Sequence, residues 1–141
     1  MNLQEPSDEQ IDIINHMMDG KNLIVDAVAG SGKTTTILHI GKSCLDKKIM
    51  VLTYNARLKD ETRTKRDQLG LDNMEVHSYH AASVSYLGLG KDDLDLKKAI
   101  TRTRLRRPLN FDILILDEVQ DMYPLLYQLV VKFLTMRVPN D

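Results

Sequence analysis

The segment 27–34, which reads Ala-Val-Ala-Gly-Ser-Gly-Lys-Thr, constrains the fold of this chain more than any other feature. It follows the apolar run 23–25 and precedes residues 35–45, which have helical character. A strand, a loop of small residues ending in Gly-Lys-Thr and a helix form the layout of a phosphate-binding P-loop. Backbone N–H groups of such a loop, and the positive end of the helix that follows, attract a phosphate anion. The chain is therefore expected to bind a nucleotide.

The residues expected to contact this nucleotide belong to the loop and to the start of its helix. They are Ala29, Gly30, Ser31, Gly32, Lys33, Thr34 and Thr35. Lys33 is predicted to reach the terminal phosphates, and the Thr34 hydroxyl is predicted to hold a magnesium ion. Ala27 stands where the motif usually begins with glycine, and its small side chain still permits the turn. A glycine-rich turn that spells Gly-Lys-Thr by chance is the weaker alternative, because a strand and a helix flank the segment.

Length and composition are those of one ordinary globular domain. The chain has 141 residues and a net charge of −1, so a nucleic-acid-binding surface would have to be local. Its single cysteine, Cys44, excludes an internal disulfide and suits a reducing compartment, so we expect a cytoplasmic or nuclear protein. Cys44 is expected to be a buried small hydrophobe. No apolar run approaches the ~20 residues of a membrane span.

Predicted helices and strands alternate along the chain, which favours an α/β fold with a largely parallel sheet. Helices are predicted over 8–18, 35–45, 55–69, 79–87, 92–104 and 122–136, and strands over 22–26, 49–53, 74–77 and 112–116. The apolar side of the last helix is predicted to carry Leu125, Leu126, Leu129, Val130, Phe133 and Leu134. A doubly wound pattern would continue with another strand after this helix, so we expect the domain to be incomplete.

Two acidic residues directly follow the apolar strand 113–116. A carboxylate at the carboxyl end of a parallel strand lies where such sheets bind ligands. Asp117 is predicted to hold the magnesium ion together with Thr34, and Glu118 to orient and deprotonate the attacking water. The alternative is that both acids merely begin the next helix, where they favour its positive end. The P-loop earlier in the same chain makes the catalytic interpretation the stronger one.

The sequence Asp-Glu-Val-Gln-Asp at 117–121 resembles the second motif of superfamily 1 helicases of the UvrD/Rep type, in which Asp-Glu-x-Gln-Asp is typical. Residues 6–10 resemble the Q motif of this family, in which Gln10 would hydrogen-bond the adenine of ATP. Residues 52–61 resemble its motif Ia, and residues 76–81 resemble its motif Ib. With the P-loop, five motifs follow the order of the family and cover nearly the whole chain.

The resemblance implies a P-loop NTPase with a RecA-like parallel sheet, which binds ATP and Mg²⁺ and contacts single-stranded DNA. Motifs Ia and Ib lie on the DNA in this family, so the DNA-binding candidates are Tyr54, Asn55, Ser78, Tyr79 and His80. Tyrosine rings can stack on unpaired bases, and the other three residues can donate to phosphate or sugar. For the two tyrosines, ordinary packing at strand ends is an equally good interpretation. Lys33, Glu118 and Gln120 are the catalytic candidates, and Gln120 would couple the nucleotide to DNA.

Helicases of this family need a second RecA-like domain, which supplies arginine residues to the ATP site. We expect this second domain to be missing from the chain and to be supplied in cis or in trans. The chain alone is then expected to bind ATP with Mg²⁺, to hydrolyse ATP slowly and not to unwind DNA. A basic cluster formed by Lys97, Lys98, Arg102, Arg104, Arg106 and Arg107 could track a phosphate backbone. Acids close by in sequence favour a solvated helical face instead.

Two alternatives of other classes remain. The chain could be a non-catalytic, truncated module that binds ATP, DNA or a helicase partner. It could also be a P-loop kinase, which would need an arginine-bearing lid and an acceptor pocket. The extended sequence at 117–121 disfavours the kinase.

Overall fold

The computed structural model of the chain describes residues 8, 11, 33–54, 56–117 and 123–136. Asp8 and Ile11 are helical, and the rest of the predicted helix 8–18 lies outside the described residues. The predicted strand 22–26 and the P-loop residues 27–32 also lie outside them.

Helices and strands alternate over most of the described chain. The helices are α1 (Lys33–Ser43), α2 (Ala56–Leu69), α3 (Tyr79–Leu87), α4 (Asp93–Ile100) and α5 (Pro124–Met136). The strands are β1 (Ile49–Thr53), β2 (Met74–Ser78) and β3 (Ile113–Leu116). This order confirms the α/β fold, and most elements begin or end within two residues of their predicted bounds. The clear exception is α4.

The described strands form one parallel sheet in the order β2-β1-β3. In its register Thr53 lies beside Ser78, and Leu52 lies beside Leu116. The carboxyl ends of all three strands therefore meet at one edge of the sheet, which we call the carboxyl edge. The central strand β1 is fully buried, because helices cover both faces of the sheet.

Alternate residues of β1 point into two separate hydrophobic clusters. Met50 and Leu52 pack in a cluster with residues of α3, α4 and α5, among them Tyr86 and Phe133. On the other face, Ile49 and Val51 pack with α1 and β2, and Cys44 is buried there as expected. Because successive side chains of a strand point to opposite faces, each cluster lies between the sheet and one of the two layers of helices.

The predicted end of α4 at residue 104 is wrong, because the helix ends at Ile100. Residues beyond it are hydrogen-bonded to the end of α3 instead of continuing the helix. Arg102 donates through Nη1 to the carbonyl of Leu87 at 3.1 Å, and the backbone N–H of Arg106 donates to the carbonyl of Tyr86 at 2.6 Å. The basic cluster therefore lies mostly on irregular chain and not on one helical face.

The predicted apolar side of α5 is correct except at its margins. Leu126, Leu129, Val130 and Phe133 are buried. Leu125 is half-buried and Leu134 is 46% exposed, since positions on the edge of the apolar stripe turn away from the sheet. In the part of the chain that the structure describes, no helix is long and apolar enough to cross a membrane.

Candidate functional site

The predicted site residues that the structure describes gather at the carboxyl edge of the sheet. Tyr54 follows β1, Ser78 ends β2 and Asp117 follows β3. The far end of α1 lies at the opposite edge, where the Asn73 amide before β2 donates to the carbonyl of Gly41 at 3.2 Å. An 11-residue helix and a five-residue strand both span about 16 Å. The start of α1, at Lys33 and Thr34, is therefore directed toward the carboxyl edge.

Asp117 is held firmly by three hydrogen bonds of its backbone and side chain. Its side chain is buried, and the Thr53 hydroxyl donates to its Oδ2 at 2.7 Å. Its backbone N–H donates to the carbonyl of Leu52 at 2.9 Å. The hydroxyl of Tyr79 donates to its backbone carbonyl at 3.2 Å. Neighbouring strands thus fix the carboxylate at the end of β3, as a preorganised metal or substrate ligand requires.

Sequence reasoning did not identify Thr53 as a partner of Asp117. Thr53 is the only polar residue of β1, whose sequence is Ile-Met-Val-Leu-Thr, and its side chain is 0% exposed. A polar residue at the carboxyl end of a buried central strand is a signal that could have indicated it. Because β1 and β3 pair in register, Thr53 lies next to the residue after Leu116.

The described residues fit a magnesium ion better than a metal held by protein ligands alone. Thr34 and Asp117 are both buried and offer hydroxyl and carboxylate oxygens, the hard ligands that Mg²⁺ prefers. Among the residues that the structure describes, no group of three or more His, Cys, Asp or Glu side chains could hold a metal. Magnesium in nucleotide sites typically uses one or two protein oxygens together with phosphates and waters.

Two tyrosines from the DNA-side segments pack against each other at this edge. The ring centroids of Tyr54 and Tyr79 are 4.8 Å apart, and the ring planes are tilted by 40°. Tyr79 is 1% exposed, so its ring offers no open face to a base, whereas Tyr54 is half-buried. The arrangement places Tyr79 as a support for Tyr54 and for Asp117.

The polar DNA-side candidates make hydrogen bonds within the chain. The Ser78 hydroxyl oxygen accepts from the backbone N–H of Ala81 at 3.1 Å and so caps α3. His80 Nε2 lies 2.8 Å from Asp93 Oδ1, and because a carboxylate only accepts, His80 carries its proton on that nitrogen. In this conformation, both side chains thus stabilise the start of α3.

The remaining predicted site residues are only partly described. Lys33 begins α1 and Thr35 is half-buried in its first turn. Those that lie outside the described residues are Gln10, Ala29, Gly30, Ser31, Gly32, Asn55, Glu118 and Gln120.

A second polar cluster, formed by Glu75, Tyr86 and Arg107, lies toward the opposite edge of the sheet. Glu75 accepts from the Tyr86 hydroxyl and from Arg107 Nη2, the latter at 2.9 Å. The Arg107 guanidinium lies 4.0 Å from the centroid of the Tyr86 ring, in cation–π contact. Arg107 therefore has a structural role that its place in the basic cluster did not indicate.

His77 and two hydrogen bonds lower the pKa of the Glu75 carboxyl to about 2. His77 is the largest cause, followed by the donors Tyr86 and Arg107, and burial opposes all three. Nε2 of His77 lies 3.7 Å from Glu75 Oε1, longer than a hydrogen bond, so the two shorter contacts are the firmer support. Burial, together with the negative charge of Glu75, raises the pKa of Tyr86.

Replacing Glu75 with glutamine is expected to lower the free energy of unfolding at pH 7 by about 1–2 kcal/mol. The lowered pKa would imply more, but the Glu75 side chain is 38% exposed and solvent screens its interactions. A carboxyl whose folded pKa lies below its unfolded value stabilises the fold above the unfolded pKa. The difference between wild type and variant should therefore be full above pH 4.5 and shrink toward pH 2, as urea denaturation across this range would show.

Glu61→Gln is the matched control for this prediction. Glu61 forms an exposed i,i+4 ion pair with Lys65 at 3.0 Å. Such pairs contribute only about 0.3–0.5 kcal/mol. Equal losses in the two variants, or a Glu75→Gln loss that does not change with pH, would contradict the proposed role of Glu75.

Comparison with known protein families assigns the chain. A family model described as an AAA domain matches residues 10–138. The chain belongs to the AAA domain family. The match covers both the P-loop motif at 27–34 and Asp117, which supports a P-loop domain that binds a nucleotide. No curated protein and no solved structure is significantly similar to this AAA domain.

Proposed function

We propose that this AAA domain is the ATP-binding part of a UvrD/Rep-like DNA helicase, which couples ATP hydrolysis to movement along single-stranded DNA when the motor is complete. The hydrogen bond from Thr53 to Asp117 carries the proposal, because it joins the motif Ia segment directly to the acidic residue of the second motif. Tyr79, from the motif Ib segment, donates to the same aspartate. Three segments with a helicase resemblance thus converge on one residue.

Within this proposal, each residue at the nucleotide has a distinct role. Lys33 and the backbone of 29–32 bind the phosphates, and Gln10 recognises adenine. Thr34 and Asp117 would hold Mg²⁺, which when bound offsets the negative charge on the phosphates. Glu118 orients the attacking water and accepts its proton. Gln120 couples the nucleotide site to the DNA.

Hydrolysis by this chain alone is proposed to be slow. Phosphoryl transfer is catalysed largely by charge stabilisation, and an arginine supplied from a partner contributes about 10³–10⁵ in rate. In the proposed motor, that arginine comes from a second RecA-like domain, in cis or in trans. The isolated chain would then bind ATP well and turn it over poorly.

Replacing Tyr54 with alanine is expected to weaken binding of a fluorescently labelled oligo-dT by about 5- to 150-fold, because stacking on one base contributes about 1–3 kcal/mol. Tyr54 is the partly exposed member of the tyrosine pair at the carboxyl edge, so it is the ring available to a base. Fluorescence anisotropy would measure the dissociation constant at one fixed salt concentration.

Tyr127→Ala provides the matched control, because Tyr127 lies on α5 and is 62% exposed. It removes an accessible tyrosine ring that is not part of the motif segments 52–61 and 76–81. Its dissociation constant for oligo-dT should equal that of the wild type. A similar loss in both variants, or none in Tyr54→Ala, would count against DNA binding at this edge.

A further inference from the structure

The start of α3 is joined to the start of α5 through the carboxylate of Asp93. A single oxygen, Oδ1, lies 2.8 Å from His80 Nε2 and accepts from the Tyr123 hydroxyl at 2.8 Å. His80 lies in the first turn of α3, Asp93 is the first residue of α4, and Tyr123 directly precedes α5. We propose that Asp93 is a positioning residue that couples DNA binding at 76–81 to the nucleotide site, an inference that rests on the function proposed above.

A second hydrogen bond connects the first turn of α3 to Asp117, at the end of β3. Tyr79, the neighbour of His80, donates from its hydroxyl to the backbone carbonyl of Asp117 at 3.2 Å. The first turn of α3 thus contacts Asp117 directly and Tyr123 through Asp93. The catalytic candidates of the second motif lie between these two anchors, within 118–122. A displacement of α3 by DNA would act on both ends of that stretch.

The bridge is placed where a DNA phosphate can compete for it. The side chain of His80 is 32% exposed, and that of Asp93 is 57% exposed. A phosphate that accepts from His80 Nε2 replaces Asp93 as the acceptor, because this nitrogen carries a single proton. Asp93 is then left with Tyr123 alone. The arrangement of His80 on Asp93 and the proposed arrangement on a phosphate would form a two-state element that both ligands can bias.

The pKa shifts at the bridge favour an ionised Asp93 carboxylate that accepts hydrogen bonds from both His80 and Tyr123. The hydrogen bond from His80 lowers the pKa of the Asp93 carboxyl, and the bond from Tyr123 lowers it further. Burial and the bond to Asp93 raise the pKa of Tyr123 to about 12, so Tyr123 remains a donor at neutral pH.

The test measures a coupling factor, defined as the dissociation constant of a fluorescent ATP analogue without oligo-dT divided by the constant with saturating oligo-dT. We expect a wild-type factor of about 5–150. Asp93→Ala, which removes the shared acceptor, and Tyr123→Phe, which removes one donor, should each lower this factor by about 3- to 30-fold, down to a limit of 1. Asp95→Ala, in the same turn of α4, removes an equal charge near the helix start and should keep the wild-type factor.

Two further readouts separate coupling from a merely structural role. The double variant Asp93→Ala/Tyr123→Phe should lose no more coupling than either single variant, since both interrupt one bridge. A structural role alone would lower the free energy of unfolding without changing the coupling factor. Unchanged coupling in both single variants overturns the inference while the proposed function stands. Absence of analogue binding to the wild type, with or without DNA, overturns the proposed function itself.

Discussion

Replacing Lys33 with alanine is expected to weaken ATP binding by about 30- to 1,000-fold, which corresponds to about 2–4 kcal/mol for lost charge-assisted hydrogen bonds to phosphate. Lys33 is the lysine of the Gly-Lys-Thr sequence and the first residue of α1. In the proposed site, the start of this helix is directed toward the carboxyl edge and would bring the lysine to the phosphates. Titration of a fluorescent ATP analogue in the presence of Mg²⁺ would measure the loss.

Lys42→Ala is the matched control, because Lys42 is an exposed lysine in the last turn of the same helix. It lies at the end of α1 that faces away from the carboxyl edge. Its removal should leave the affinity for the ATP analogue unchanged. Equal affinity of Lys33→Ala and wild type would show that the P-loop motif does not bind the phosphates.

Replacing Thr53 with valine is expected to lower the free energy of unfolding by about 1.5–3 kcal/mol, the range for a hydrogen bond to a charged group. Valine keeps the shape of threonine but leaves the buried Asp117 carboxylate without the donor at 2.7 Å. The carboxylate would also lose its fixed orientation, so the Mg²⁺-dependent part of nucleotide affinity should fall. Urea denaturation and titrations with and without Mg²⁺ would measure the two effects.

Thr53→Ser separates the hydroxyl from the shape of the side chain. Serine retains a donor for Asp117 and gives up a methyl group in a fully buried position. Its nucleotide affinity in Mg²⁺ should remain near that of the wild type, although its stability falls somewhat. If serine and valine weakened Mg²⁺-dependent binding equally, packing and not the hydrogen bond would account for the effect.

The sequence predicted the elements well wherever local patterns decide them. The apolar strand Ile49–Thr53 and the helix Tyr79–Leu87 lie at the predicted residues. Gly88, which adopts a left-handed φ of 87°, ends α3 at the predicted bound, because glycine tolerates this conformation. Helix caps and apolar runs depend on residues that are close in sequence, so they can be predicted from the local sequence.

Contacts between distant residues were not predictable in the same way. The helix α4 ends early because Arg102 and the backbone of Arg106 bond to the end of α3, and no local pattern encodes those partners. At the site, Asp117 was identified from its place after an apolar strand, whereas its partner Thr53 follows from the register of two strands. The bridge from His80 through Asp93 to Tyr123 likewise depends on how three helices pack.

Stimulation of ATP turnover by DNA tests the central proposal most directly. We predict that the 141-residue chain hydrolyses ATP slowly and that single-stranded oligo-dT, but not blunt duplex DNA, raises the rate. The Lys33→Ala variant should show no activity under either condition. A rate that is indifferent to single-stranded DNA would contradict the proposed helicase function. Absent turnover would then favour a non-catalytic module, and transfer of phosphate to a small acceptor would favour a kinase.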